Sequence, residues 1–187
     1  MKKDLSRLAP WLAGVLTLAI LAVVGVLPKC GIARPAPPFE GEVVAGEGIG
    51  DRVSLSRLEG RVVVLDFWAS WCPPCRESIP LLNRVASRYP EGVQFYGINV
   101  EAISPEQVQT HHTTFAAAFP SLHDPDQSLQ RAYGVNLLPT LVIIDASGHI
   151  RHTETGVPDE EGIHEVIDAL LAESSSTGRM SNVDPES

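Results

Sequence analysis

RVVVLDFWASWCPPC, residues 61–75, decides how this chain is read. Residues 62–68, VVVLDFW, form a short apolar run rich in β-branched and aromatic side chains, which predicts a buried strand. The run ends by presenting Cys72 and Cys75, two of the three cysteines in 187 residues. A helix is expected to start at Pro73 or Pro74 and run to Tyr89, kinked at Pro80. The pair then sits at a strand-to-helix junction. There the helix dipole and free N–H groups favour a thiolate at the first cysteine, with the second one turn away. Such a pair can exchange disulfides: Cys72 attacks a partner disulfide and Cys75 resolves the mixed disulfide. A zinc site and a structural staple are the alternatives. Zinc needs four ligands, and His111 and His112 are neighbours that point to different faces. A staple across so short a loop constrains little chain.

Two features tune the expected exchange. Pro73 and Pro74 have no backbone N–H, so two donors that would stabilise a Cys72 thiolate are missing, and the pair is expected on the reducing side. Asp66 lies within the apolar strand, six residues before Cys72. Burial there raises a carboxyl pKa and suits it to carry the Cys75 proton. The alternative is a carboxylate that faces water or caps a loop.

Working outward, the elements alternate. GVQFYGINV (92–100) reads as a second strand, and SPEQVQTHHTTFAAAF (104–119) as a helix opened by a Ser104/Gln107 capping box. DQSLQRAYG (126–134) reads as a short helix stopped by Gly134. TLVIID (140–145) and HIRHTET (149–155) form a hairpin, and a final helix runs from about Asp159 to Glu173. This order predicts an α/β fold around a mixed central sheet flanked by helices.

The ends carry address information. Residues 8–27 have no charge and as a helix would span roughly 30 Å, the thickness of a bilayer core. Lys2, Lys3 and Arg7 outnumber Asp4 before them, which keeps the start in the cytoplasm. The expected layout is a cytoplasmic start (1–9), a transmembrane anchor (10–27), a proline-rich tether (28–38), one domain (39–173) and a disordered tail (174–187). A cleaved signal peptide and a lipoprotein at Cys30 are the alternatives. Each exports the domain to a compartment that permits disulfides. The net charge of −9 argues against nucleic-acid binding.

VVVLDFWASWCPPC, the later YGVNLLPTLVIID (133–145) and the last helix resemble thioredoxin-like proteins. The block SLSRLEGRVVVLDFWASWCPPCRESIP and the stretch FPSLHDPDQSLQRAYGV, with the anchored start, resemble more specifically the TlpA/ResA type over residues 36–172. That resemblance implies a thioredoxin-like fold and a single-pass protein of the bacterial inner membrane, with its catalytic domain on the periplasmic side. The implied activity is reduction of protein disulfides, apocytochrome c among them, with electrons from a membrane thiol reductase and no cofactor or metal. Catalytic Cys72, Cys75 and Asp66 are expected beside a substrate surface of Trp71, Leu138 and Pro139, the last a cis-proline facing the thiols. Leu138 would then pair with an extended substrate segment. One position departs from the family pattern: Ser78 stands where a glutamate is usual, three residues after Cys75, and Glu77 lies one residue early. A copper chaperone and a disulfide-forming oxidant remain as other functions of the same fold. A peroxiredoxin is disfavoured, because Leu65 and Ala69 stand where its proline and hydroxyl residue would be.

Overall fold

The computed structural model describes residues 33–180, with side chains through residue 175. The anchor expected at 10–27 and Cys30 lie outside the described residues. No helix among those described is long and apolar enough to cross a membrane.

The strands are β1 (Arg34–Pro35), β2 (Glu40–Ala45), β3 (Arg52–Ser54), β4 (Val62–Trp68), β5 (Val93–Asn99), β6 (Ser121–His123), β7 (Thr140–Ile144) and β8 (His149–Thr155). The helices are α1 (Pro73–Arg88), α2 (Pro105–Thr114), α3 (Ser128–Tyr133) and α4 (Glu160–Met180). One mixed sheet runs in the order β1-β8-β7-β4-β5-β6-β2-β3. β4, β5 and β6 are parallel, whereas β7 returns antiparallel to β4. This is the expected α/β architecture, a mixed sheet covered by helices.

β4 is central, and all seven of its residues are buried. Alternation along the strand divides the core into two layers. Val63, Leu65 and Phe67 join Ile98, Val108, Tyr133, Val142 and Ile150. Val62 and Val64 join Leu82 and Val85 of α1 and Ile163 and Ile167 of α4. Each buried aliphatic side chain contributes about 1.5–3 kcal/mol, so a strand filling both layers anchors the domain.

Several elements differ from their expected bounds. α1 is unbroken through Pro80, whose ring is on the exposed side while Ile79 and Leu82 pack inward. α2 ends at Thr114 rather than near Phe119. Ala116 takes a left-handed φ of 52°, and Asn83 of α1 grips the exit by donating to Ala116 O (2.7 Å) and accepting from Ala118 N (2.8 Å). That exit lets Phe119 reach the layer under α1. α4 continues past Glu173 into the expected tail, where the Ser174 and Ser175 hydroxyls donate to Leu171 O at 2.9 Å.

The tether also departs from expectation, because its second half is docked on the domain. Arg34 and Pro35 pair with Ile150 and His149 of β8, and Ala36 N donates to Gly148 O at 2.9 Å. The Tyr133 hydroxyl then donates to Pro37 O at 2.8 Å.

Gly97 lies between Asp66 on β4 and Ser121 on β6. A Cβ there would meet the Ser121 hydroxyl and stand 2.8 Å from Trp68 Nε1. Gly97→Ala should cost about 1–3 kcal/mol through overpacking, read as a lowered urea midpoint with an unchanged m-value.

Candidate active site

The sheet brings four loops to one end. β4 stops at Trp68, which pairs with Asn99 at the end of β5, and Asn99 pairs with His123 at the end of β6. On the other side Thr140 pairs with Phe67, so Pro139 comes alongside the same end. The Cys72 turn issues from this end.

The turn follows from the local sequence. β4 gives way to Ala69-Ser70-Trp71-Cys72, closed by a hydrogen bond from Cys72 N to Ala69 O at 3.2 Å. Cys72 is the N-cap of α1, and Pro73 and Pro74 open the helix with the fixed φ that suits a first turn. Cys75 N, the next donor along, points at Cys72 Sγ at 3.2 Å. Cys72 and Cys75 form a disulfide of 2.07 Å, with their Cα atoms 5.4 Å apart. Both cysteines are buried, whereas Trp71 is 68 % exposed and Leu137 67 % exposed. The Leu138–Pro139 bond is cis, Leu138 is half-buried and Pro139 is buried. Trp71 and Leu137 therefore present apolar surface at the redox end. Sequence reasoning included Trp71 in that surface and missed Leu137.

Trp68, by contrast, is part of the core, its ring 5.6 Å from that of Phe115. Arg76, in the first turn of α1, lies over Phe115 at 5.2 Å and donates to Ser70 O at 3.4 Å.

Asp66 is buried, and its Oδ2 has no hydrogen-bond partner. By alternation it shares the face of β4 that carries Val62 and Val64. Burial in this apolar layer lifts its pKa to about 7. Among the described residues no cation offsets that burial, so the neutral acid is the favoured form below neutral pH. Glu77 is exposed, and the Ser78 hydroxyl donates to Cys75 O at 3.2 Å. Neither offers a buried carboxyl from the helix side.

Glu101 and His123 complete this end. His123 closes β6, and its Nε2 lies 2.9 Å from Glu101 O. The Glu101 carboxylate reaches back to Ser70. Nothing in the sequence marked Glu101, because its partner is 31 residues away and the link depends on strand register.

A thioredoxin-like sheet with a Cys-x-x-Cys disulfide at the head of a helix defines a thiol-disulfide oxidoreductase. The model of the redoxin family matches residues 33–171. The thioredoxin-like protein YneN of Bacillus subtilis is 28 % identical over 172 residues, covering 86 % of this chain and 98 % of that protein. The thiol-disulfide oxidoreductase ResA of Halalkalibacterium halodurans is 32 % identical over 126 residues, 66 % of this chain and 70 % of the relative. A thioredoxin-family thiol:disulfide interchange protein from Chlorobium tepidum TLS superposes with a TM-score of 0.64 at 28 % identity, over 75 % of this chain and 98 % of that one. The chain belongs to the redoxin family, in its thioredoxin-like ResA/TlpA branch of thiol-disulfide oxidoreductases.

The elevated Asp66 pKa has a consequence for stability. Below about pH 4 the carboxyl is protonated whether the chain is folded or not. Between about pH 4 and 7 only the unfolded chain releases the proton, so folding stability falls as pH rises and levels off above about 7. Asp66→Asn should flatten this slope and stabilise the protein above pH 7 by up to about 4 kcal/mol, measured by urea unfolding at pH 5, 6, 7 and 8.

Proposed function

We propose that this protein is a membrane-tethered, extracytoplasmic reductase of protein disulfides. The observation that carries the reading is the Cys72–Cys75 disulfide at the head of α1, where two prolines remove N–H donors and Cys75 N is left to serve Cys72 Sγ. A thiolate with fewer donors is less stabilised, and the dithiol gives up its electrons more readily. The thiolate of reduced Cys72 attacks one sulfur of a substrate disulfide, forming a mixed disulfide and releasing a substrate thiolate. Cys75 then loses its proton, and its sulfur attacks Cys72. The second substrate thiol leaves, and the enzyme disulfide carries away the electron deficit.

Asp66 is the proposed acceptor of the Cys75 proton. A carboxyl that titrates near pH 7 can take and return a proton at working pH. With Ser78 at the usual glutamate position, the acid function has moved from the helix to the strand. Exposed Trp71 and Leu137, with Leu138 and Pro139, form the proposed docking surface for an extended substrate segment.

The N-terminal sequence supports an anchor across the bacterial inner membrane with the domain on the periplasmic side. Electrons must then come from a membrane thiol reductase, since the compartment is oxidising. Apocytochrome c, whose cysteine pair must be reduced before haem attachment, is the proposed substrate to try first.

The Cys72–Cys75 potential of the purified full chain, equilibrated with dithiothreitol buffers, should lie at about −270 mV or lower. A value near about −120 mV would identify an oxidant that inserts disulfides. A Cys75→Ser variant should trap mixed disulfides with substrate proteins, and Cys72→Ser should trap none. Asp66→Asn should slow reduction, most of all at and above about pH 7, where Asp66 is ionised and can accept the proton. An unchanged rate and pH profile would remove Asp66 from the mechanism. In cell fractionation the full chain should stay in the membrane pellet after alkaline carbonate washing. Release by the wash would refute the anchor.

A further inference from the structure

The loop that carries Trp71 and Cys72 is held from outside by one carboxylate. Glu101 Oε2 accepts from the Ser70 backbone N–H at 2.5 Å, and Oε1 accepts from the Ser70 hydroxyl at 2.8 Å. The carboxylate is itself fixed, because buried Asn99 donates from Nδ2 to Oε2 at 3.1 Å and accepts from Glu101 N at 3.2 Å. His123 Nε2 lies 2.9 Å from Glu101 O, and Ile103 N donates to the same oxygen at 2.9 Å. This assembly rests on β5 and β6, whereas the turn it grips belongs to β4 and α1.

We propose that Glu101 is a positioning residue for thiol–disulfide exchange: by clasping Ser70 it holds reduced Cys72 ready to close onto Cys75. The inference rests on the reversible Cys72–Cys75 couple and not on the direction of electron flow.

The physical argument compares the two redox states. In the oxidised protein the covalent S–S bond ties Cys72 to the rigid first turn of α1. On reduction that tie is lost. Ala69 and Cys72 at the ends of the turn pack into the core, but Ser70 and the exposed Trp71 between them do not, and the closing hydrogen bond, Cys72 N to Ala69 O, lies within the turn itself. The Ser70 clasp and the longer Arg76 contact to Ser70 O tie this middle part of the turn to neighbouring side chains. Ordering a residue costs backbone entropy, and a group held in place reacts at a higher effective concentration. In the reduced form the clasp must meet the cost of ordering Ser70 and Trp71 itself, whereas in the oxidised form the S–S bond has already met it, so the clasp favours the oxidised form. It lowers the cost of forming the disulfide and holds the potential down.

The measurement is the equilibrium of the full chain with glutathione. Reduced Cys72 attacks glutathione disulfide and releases one glutathione thiolate. Cys75 then attacks Cys72 and releases the second. Two electrons pass to glutathione, and the two protein thiol protons end on the two glutathione thiols. Glu101→Ala should lower the equilibrium constant for disulfide formation about tenfold, which makes the potential less negative by ~30 mV. Glu101→Gln can keep all three contacts, its amide oxygen accepting from Ser70 N and Asn99 Nδ2 while its NH2 donates to the Ser70 hydroxyl. It should stay within about twofold of the wild type, since the contacts and not the charge are at work. Ser70→Ala removes the hydroxyl contact and keeps the N–H contact, so an intermediate shift of about threefold is expected, and it serves as the test if Glu101→Ala does not fold.

A purely structural role would lower the urea midpoint equally in both redox forms and leave the constant unchanged. Wild-type constants in Glu101→Ala, or in Ser70→Ala if it alone folds, would overturn the clasp. An equal shift in Glu101→Gln and Glu101→Ala would also overturn it and assign the effect to charge. A wild-type pair that never exchanges with glutathione would instead overturn the redox couple itself, and the clasp with it.

Discussion

β4 is buried on both faces and hydrogen-bonded on both edges, and the rest of the domain is arranged around that fact. A strand so enclosed cannot shift register by one residue without sending every side chain to the opposite layer. Its far end is thus a fixed point. The turn at Ala69, the N-terminus of α1, the end of β5 and the start of β7 are all located by pairing to it. Short-range geometry can be reliable in loops only when their roots are this immobile, and here the roots are Trp68, Asn99 and Thr140.

The same enclosure sets up a tension at Asp66. Seven buried positions enclose Asp66 in the strand, and among the described residues its Oδ2 has no hydrogen-bond partner. Relieving this by substitution would favour folding at neutral pH, so the acid is held there against stability. At the redox end, α1 begins with two residues that cannot donate. The helix dipole still acts on Cys72, but one backbone N–H does work that two or three share in a helix without prolines. Burial favours the neutral, proton-holding form of Asp66.

The sequence made some of this legible and not the rest, for reasons that can be stated residue by residue. β4, β5, α1 and the β7–β8 hairpin were readable because each is a long run with one period, or is bounded by Pro or Gly. Cys72, Cys75 and the burial of Asp66 followed from where they stand in that run. β6 was not readable, as three residues between Pro120 and Pro125 carry no period. β1 was taken for tether because Arg34 and Pro35 read as linker, and only their partners on β8 make them a strand. The end of α2 was misplaced because TTFAAAF favours helix locally, whereas Asn83 and the burial of Phe119 act from elsewhere in the fold. Glu101 was invisible for the same reason: a contact across strand register leaves no local trace.

These long-range contacts fall where the local ones are weakest. The dithiol motif specifies its own turn, cap and first helical residues within a few positions, but it does not specify how that turn sits on the sheet. Trp71 cannot do so, since its ring faces solvent. Ser70 can, because its N–H and hydroxyl donate to Glu101, just past the end of β5. The motif thus supplies reactive sulfur, and the neighbouring strands supply its position. Two proteins sharing a Cys-Pro-Pro-Cys sequence can therefore differ in redox poise through residues outside it. In this chain the contact between Ser70 and Glu101, just past β5, is the proposed example of such control.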